Sequence, residues 1–231
     1  MTNIESMRAT RAPLTRERVL AAAVALADAE GIAAVTMRRV AGELGVEAMS
    51  LYHHLPGKAD LLDGLVDVVA AEVATEIAGR DLPAEDWRAE VSARCLTART
   101  VMLRHPWAPG LMGSRSTVPP VVYGLYEGVV GAMVRGGLSY RLAHRALHAL
   151  GSMVLGFTQE VFRPAEAGGS LEPELAEAGL AAIVDALPYT AAMITTEMHD
   201  ATDPVLGWCD SQTEFEFTLD LLLDGLERAR A

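Results

Sequence analysis

Residues 35–62, VTMRRVAGELGVEAMSLYHHLPGKADLL, constrain this chain more than any other stretch. They predict two short helices joined by a tight turn, followed at once by the start of a third. Thr36 stands where a helix N-cap belongs, with Val40, Ala41 and Leu44 on the inner stripe behind it. Gly45 supplies the backbone freedom that a sharp helix end needs. The second helix is expected over residues 48–55. At about 100° per residue, Leu51 and Leu55 share one side, while Ala48, Met49, Tyr52 and His53 share another. So short a helix gains little from its own hydrogen bonds. Docked by two leucines with its other side outward, it is built to enter a groove.

The remainder of the chain predicts helices packed on helices. Hydrophobic residues make up 51% of it, rich in Ala, Leu and Val with few aromatics, which favours helix. No window alternates as a half-buried strand would, and no internal repeat is evident. Further helices are expected over 15–30, 58–78, 84–104, 119–135 and 139–163, with a short turn or helix at 107–112. A last one runs from 210 or 211 almost to the C-terminus. Residues 163–173 read as a surface loop, and 174–187 as an apolar, helical segment. Cys95 and Cys209 lie far apart with no metal-ligand spacing, as reduced structural thiols of a cytosolic protein would. The N-terminus has no apolar signal core, so a cytoplasmic location is expected.

A net charge of −12 runs against a nucleic-acid role until it is divided by region. Residues 1–58 hold seven Arg and Lys against six Asp and Glu; the other 173 hold twelve against twenty-five. The acidic charge thus sits away from the groove-entering segment, where it repels nucleic acid and favours one docking orientation. Arg8 and Arg11, ahead of the first helix, are within reach of a minor groove. Lys58 is the only lysine in the sequence.

A bare helix-turn-helix pattern is a weak signal, but three features stand together here. They are the amphipathic helix over 14–30, the G-V-x-x-x-x-L-Y-x-H run beginning at Gly45, and the K-x-x-L-L run beginning at Lys58. This stretch closely resembles the DNA-binding head of the TetR family of transcriptional regulators. The C-terminal part is similar, more loosely, to the tetracycline-repressor branch through L-R-H at 103–105, G-L-S at 137–139 and G-x-x-x-L-G at 151–156. The resemblance implies an all-α fold. A three-helix helix-turn-helix DNA-binding domain would occupy 1–58, a connecting helix 58–79, and a larger helical ligand-binding and dimerisation domain 80–231. It implies a ligand-responsive regulator, most simply a repressor, that binds palindromic double-stranded operator DNA as a homodimer and uses no cofactor.

Residue roles follow at three places. Toward DNA, the resemblance carries over Arg38, Ala48, Met49, Tyr52 and His53. By their chemistry, Tyr52 and His53 can bond phosphates or base edges, while Ala48 and Met49 suit thymine methyl groups. Ser50 and His54 flank them. Lys58, in the first turn of its helix, can hold a phosphate together with free N–H groups.

For a ligand, His105, Trp107, Met112, Tyr123, Tyr126, Met133, His148, Met153, Phe157 and Glu160 lie on helices expected to pack together. Met153, Phe157 and Glu160 recur on one face, which fits a plain core and a binding wall alike; Glu160 is costly to bury alone. The resemblance implies an effector pocket here, with a departure. Tetracycline-responsive relatives hold a drug–magnesium chelate with a histidine whose position falls here on Met112. Their other polar drug contacts fall on Ala74, Arg94 and Gly128, and only the acidic position, Glu160, persists. A thioether is a poor magnesium ligand. The expected effector therefore needs no metal: a largely apolar, polycyclic or long-chain molecule against Trp107, Met112, Met133 and Phe157. Arg94 either faces an anionic group on it or makes a surface ion pair.

For assembly, Phe215, Leu219, Leu222, Leu223 and Leu226 form a stripe too apolar to leave exposed. Gly151 and Gly156, with Ala146, Ala149 and Ser152, permit close helix approach. Burial inside one subunit would account for the stripe; the resemblance implies a four-helix dimer interface instead. Enzymatic readings gain little, since no Gly-rich phosphate loop, G-x-S-x-G or H-E-x-x-H occurs. The competing class is a helical ligand-binding protein or enzyme with a helix-turn-helix-like head and no specific operator.

Overall fold

The computed structural model describes residues 13–158, 186–189, 191–192 and 211–230, and among these there are nine α-helices and no strand. The chain opens with α1 (Arg16–Glu30), capped by the Thr15 hydroxyl, which accepts from the Arg18 N–H at 3.3 Å. A short 3-10 turn (Ile32–Ala34) leads to α2 (Met37–Leu44), capped in the same way by Thr36, and then to α3 (Ala48–Leu51). These, with the start of α4 (Lys58–Ala78), form the head. The body holds α5 (Trp87–Arg104), α6 (Ala108–Gly113), α7 (Pro120–Arg135), α8 (Tyr140–Gly156) and α9 (Ser211–Arg230). Asp86 caps α5 through the Arg88 and Ala89 N–H groups, and Ser139 caps α8 through that of Leu142.

Two apolar clusters organise the fold. One joins Val19, Leu20, Ala23, Val40, Leu51, Leu55, Leu61 and Leu65 of the head to Val101, Met102, Trp107 and Leu111 of α5–α6. Gly64 matters to it: a Cβ there would lie 2.5 Å from Leu20, so α1 and α4 could not cross as closely. The other cluster packs α5, α7, α8 and α9 around Val91, Cys95, Met133, Ala146, Leu150 and Phe215. Buried polar groups are answered: among the described residues no buried side-chain nitrogen or oxygen lacks a partner. Arg99, 1% exposed, donates to Gln212 Oε1 at 3.1 Å and to the Phe157 carbonyl at 3.0 Å, and lies over the Phe215 ring, tying α5, α8 and α9 together.

Two helices end sooner than their periodicity predicts. The segment expected as a helix over 48–55 is helical only to Leu51 and continues as a turn, because Pro56 drives Leu55 out of the helical region. The helix expected over 139–163 stops at Gly156. There the Phe157 carbonyl goes to Arg99, and the Thr158 hydroxyl bonds the Leu155 carbonyl at 2.7 Å. Arg8, Arg11, Glu160, Cys209, the segment 163–173 and all but the last two residues of 174–187 lie outside the described residues. No described helix is long and apolar enough to cross a membrane.

Candidate nucleic-acid interface and effector region

The turn between α2 and α3 is built by its glycine. Gly45 sits at φ 61°, ψ 40°, in the left-handed region. Its N–H reaches the Gly42 carbonyl at 3.0 Å and the Val46 N–H reaches that of Ala41 at 3.0 Å, which closes α2 and redirects the chain. Beyond it Leu51 and Leu55, 0% and 1% exposed, pin the segment to the head. Met49 and Tyr52 stand out at 69% and 43% exposed, and His53 is exposed beside them. Ala48 and Ser50 are half-buried. Arg38 on α2 and Lys58, first residue of α4 after an extended Gly57, are also exposed. Among the described residues the side chains of Arg38, Tyr52, His53 and Lys58 make no hydrogen bond or ion pair. Arg39, by contrast, is tied to Glu30 at 2.6 Å. The result is a rigidly seated strip of unengaged donors and one large apolar side chain, the chemistry of a groove-reading element.

Among the described residues, those expected around a ligand fall into separate groups rather than one. His105 and Trp107 lie in the head–body junction, 6% and 8% exposed, and bond Asp28 of α1. Met112 is half-buried against the head cluster, as are Leu125 and Leu155. Met133 and Met153 are buried in the body core, and Phe157 packs edge-on to Phe215. Tyr123, Tyr126 and His148 face outward, the two tyrosines edge-to-face at 6.2 Å and His148 against His144 at 4.8 Å. Met153 and Phe157 both pack into the body core cluster, as their shared face predicts, although α8 itself ends at Gly156.

Arg94 is neither at the surface nor unpaired: its Nε and Nη2 donate to Oε1 of Glu90 at 3.1 and 2.7 Å, and Arg135 takes the other oxygen at 2.6 Å. Burial pushes the Glu90 carboxyl up, but the hydrogen bonds from Arg94 and Arg135 outweigh it and hold the group below its ordinary value. Gly128 leaves room for that guanidinium, since a Cβ there would stand 2.3 Å from Arg94 Nη1.

The apolar stripe on α9 divides in two. Phe215, Leu219 and Leu223, at most 1% exposed, fill the protomer's own core against α8 and do not face outward. Their spacing marks an apolar face but not which neighbour covers it. Leu222 and Leu226 are partly buried, and with Leu221 and Gly225 they border a groove of about 250 Å³ whose other wall is Arg145, Ala146, Ala149 and Leu150 of α8. Phe217 and Leu221, missed in the stripe, are 60% and 53% exposed. They lie about 40° apart on the helix, on the side away from Phe215 and Leu219, and that second pairing would have singled them out. Gly151 and Gly156 are exposed on α8, with open space where a Cβ would stand.

Residues 19–65 match the family described as bacterial regulatory proteins, tetR family, and residues 80–230 match the tetracyclin repressor-like C-terminal domain. The HTH-type transcriptional repressor DrrR1 of Streptomyces coeruleorubidus is 31% identical over 95% of this chain and 80% of its own length. The class D tetracycline repressor protein of Escherichia coli is 32% identical over 72% of this chain and 79% of its own. Among solved structures, the Streptomyces coelicolor TetR family protein ActR in complex with actinorhodin superposes with a TM-score of 0.71. It is 26% identical and the match covers 94% of this chain and 97% of that one.

Proposed function

This chain belongs to the TetR family of bacterial transcriptional regulators, and from that membership we propose a homodimeric cytoplasmic repressor that binds a palindromic operator and is released by a largely apolar effector. The observation that carries the DNA part is the exposed, unengaged set Arg38, Tyr52, His53 and Lys58, with Met49, on a segment pinned from behind by Leu51 and Leu55. Tyr52 and Lys58 are assigned to phosphate, Arg38 and Met49 to base edges, and His53 to either. Ala48 and Ser50 are assigned to the close contact between the segment and the groove wall. Tyr52→Ala and Lys58→Ala are expected to weaken binding to many sequences alike and to lower its salt dependence. Replacing Arg38 or Met49 should shift sequence preference instead. Unchanged affinity and salt slope in Lys58→Ala would contradict the assignment.

A second copy is the proposed cover for the α8–α9 groove, with Leu221, Leu222, Leu226, Gly151 and Gly156 on the shared face. Apolar surface of this kind, beside small residues, supports a two-fold helix bundle. ActR, seen with actinorhodin, supports a small-molecule effector for the C-terminal half. The acidic body, which repels DNA, supports release by a change in how the two heads are held. A magnesium chelate fits the residues poorly. Met112 packs its thioether on the head cluster, Gly128 offers no side chain, and Arg94 is committed to Glu90. Calorimetry with tetracycline, with and without magnesium, is expected to give no submicromolar, magnesium-dependent binding. Binding of that kind that also released DNA would contradict the apolar, metal-free effector.

A further inference from the structure

His105 is the C-cap of α5 and is 6% exposed, yet both of its ring nitrogens face carboxylates from other elements. Nδ1 lies 2.7 Å from Asp28 Oδ1 on α1, and Nε2 lies 3.1 Å from Glu72 Oε2 on α4. The Trp107 indole N–H donates to the same Asp28 oxygen at 2.6 Å. Arg104, the last residue of α5, donates to Glu72 Oε1 at 2.6 Å and also to Glu76. The charged groups around the ring are therefore Asp28 from α1, Glu72 and Glu76 from α4, and Arg104 from α5. Three carboxylates meet one guanidinium.

A neutral imidazole has one N–H and one lone pair, so it satisfies only one of two carboxylates; the other would meet it oxygen to lone pair. The imidazolium has two N–H groups and satisfies both. Its charge also offsets the acidic excess and sits at a helix C-terminus, where a cation is favoured. Burial pushes the Glu72 carboxyl up, and the hydrogen bonds from His105 and Arg104 outweigh it and leave the group below its ordinary value. Glu72 is thus an ionised acceptor, which leaves the ring to bring both protons.

We propose that His105 is a positioning residue: as an imidazolium it clasps α1 of the head to α4 and α5, and loss of one proton releases that clasp and changes how the head meets DNA. Asp28 belongs to the head, and His105 to the helix end from which α6 and the body continue, so one proton bears on their relative placement. Histidine is the side chain that ordinarily changes charge near neutral pH. The clasp is present with the ring doubly protonated and is lost as pH rises.

Glu72→Gln isolates the proton from the packing. The new amide keeps a carbonyl oxygen for Arg104 and places an N–H opposite Nε2, so a neutral ring bonded to Asp28 through Nδ1–H keeps every hydrogen bond. Ring ¹⁵N shifts of the full-length protein, followed across pH, are expected to show both His105 nitrogens protonated in the wild type. In Glu72→Gln the ring should be neutral with the proton on Nδ1 at the same pH. Operator affinity, which rests on the regulator reading above, should change about fivefold or more over the range in which the wild-type ring loses its proton. In Glu72→Gln that change should be smaller, leaving only the dependence that the DNA-facing groups contribute in both proteins, with folding unchanged. A wild-type ring that is singly protonated at every pH at which the protein is folded, or parallel affinity profiles in the two proteins, would overturn the proposal. Absence of operator binding at every pH would count against the regulator reading instead, and the ring shifts would still decide the clasp.

Discussion

Gly45 and Cys95 are single residues whose surroundings fix their behaviour in opposite ways. At Gly45 the backbone is left-handed, and any L side chain there is strained by about 1–2 kcal/mol. Gly45→Ala is expected to lower head stability by roughly that amount and to weaken DNA binding, because the turn aims the segment carrying Met49 and Tyr52. Chemical denaturation and titration with DNA would check both. Cys95 is sealed in the body core, and burial pushes its thiol up to about 12. Only the thiolate is nucleophilic, so alkylation at pH 8 should be far slower in the folded protein than in the denatured one. Rapid labelling of native Cys95 would mean that the α5–α9 cluster opens. The cap at Thr36 and the stop at Gly45 were both legible in the sequence, because each depends only on residues within a turn of itself.

At the scale of elements, α8 and α9 separate what a sequence pattern can and cannot tell. Periodicity finds the apolar face of α9 but is blind to its cover; the resemblance assigns Phe215, Leu219 and Leu223 to an interface, whereas they are buried within the protomer, against α8 among others. The clasp at His105 was illegible for a related reason: Asp28, Glu72 and His105 lie on three helices far apart in sequence, and nothing local brings them together. Helix ends set by distant contacts, such as the arrest of α8 where Arg99 takes the Phe157 carbonyl, were missed in the same way. The two leucine sets therefore respond differently to mutation. Leu223→Ala should cost the protomer about 2–5 kcal/mol, as loss of a buried leucine does. Leu221→Glu, at a position 53% exposed, should leave protomer folding within about 0.5 kcal/mol. It should nevertheless give monomers in sedimentation and abolish tight DNA binding. A Leu221→Glu protein that remains dimeric would move the shared face elsewhere.

Over the whole molecule, charge and architecture point to the same mode of action. The first 58 residues carry a charge near neutrality while the remainder is strongly acidic, so one head alone has little electrostatic grip on DNA. On the proposed reading, affinity comes from two heads held at a spacing that fits successive major grooves, and that spacing is the quantity an effector would change. The apolar cluster that seats the head extends into α5 and α6, so a change in the body has a packed route to α1 and α4. The most direct test of this account is selection of bound sequences from a random pool of duplex DNA with the full-length protein. Enrichment of a two-fold symmetric site with half-sites about 34–36 Å apart, or a multiple of that, is the predicted result. A pool that stays unenriched, or that yields only asymmetric single half-sites, would contradict it.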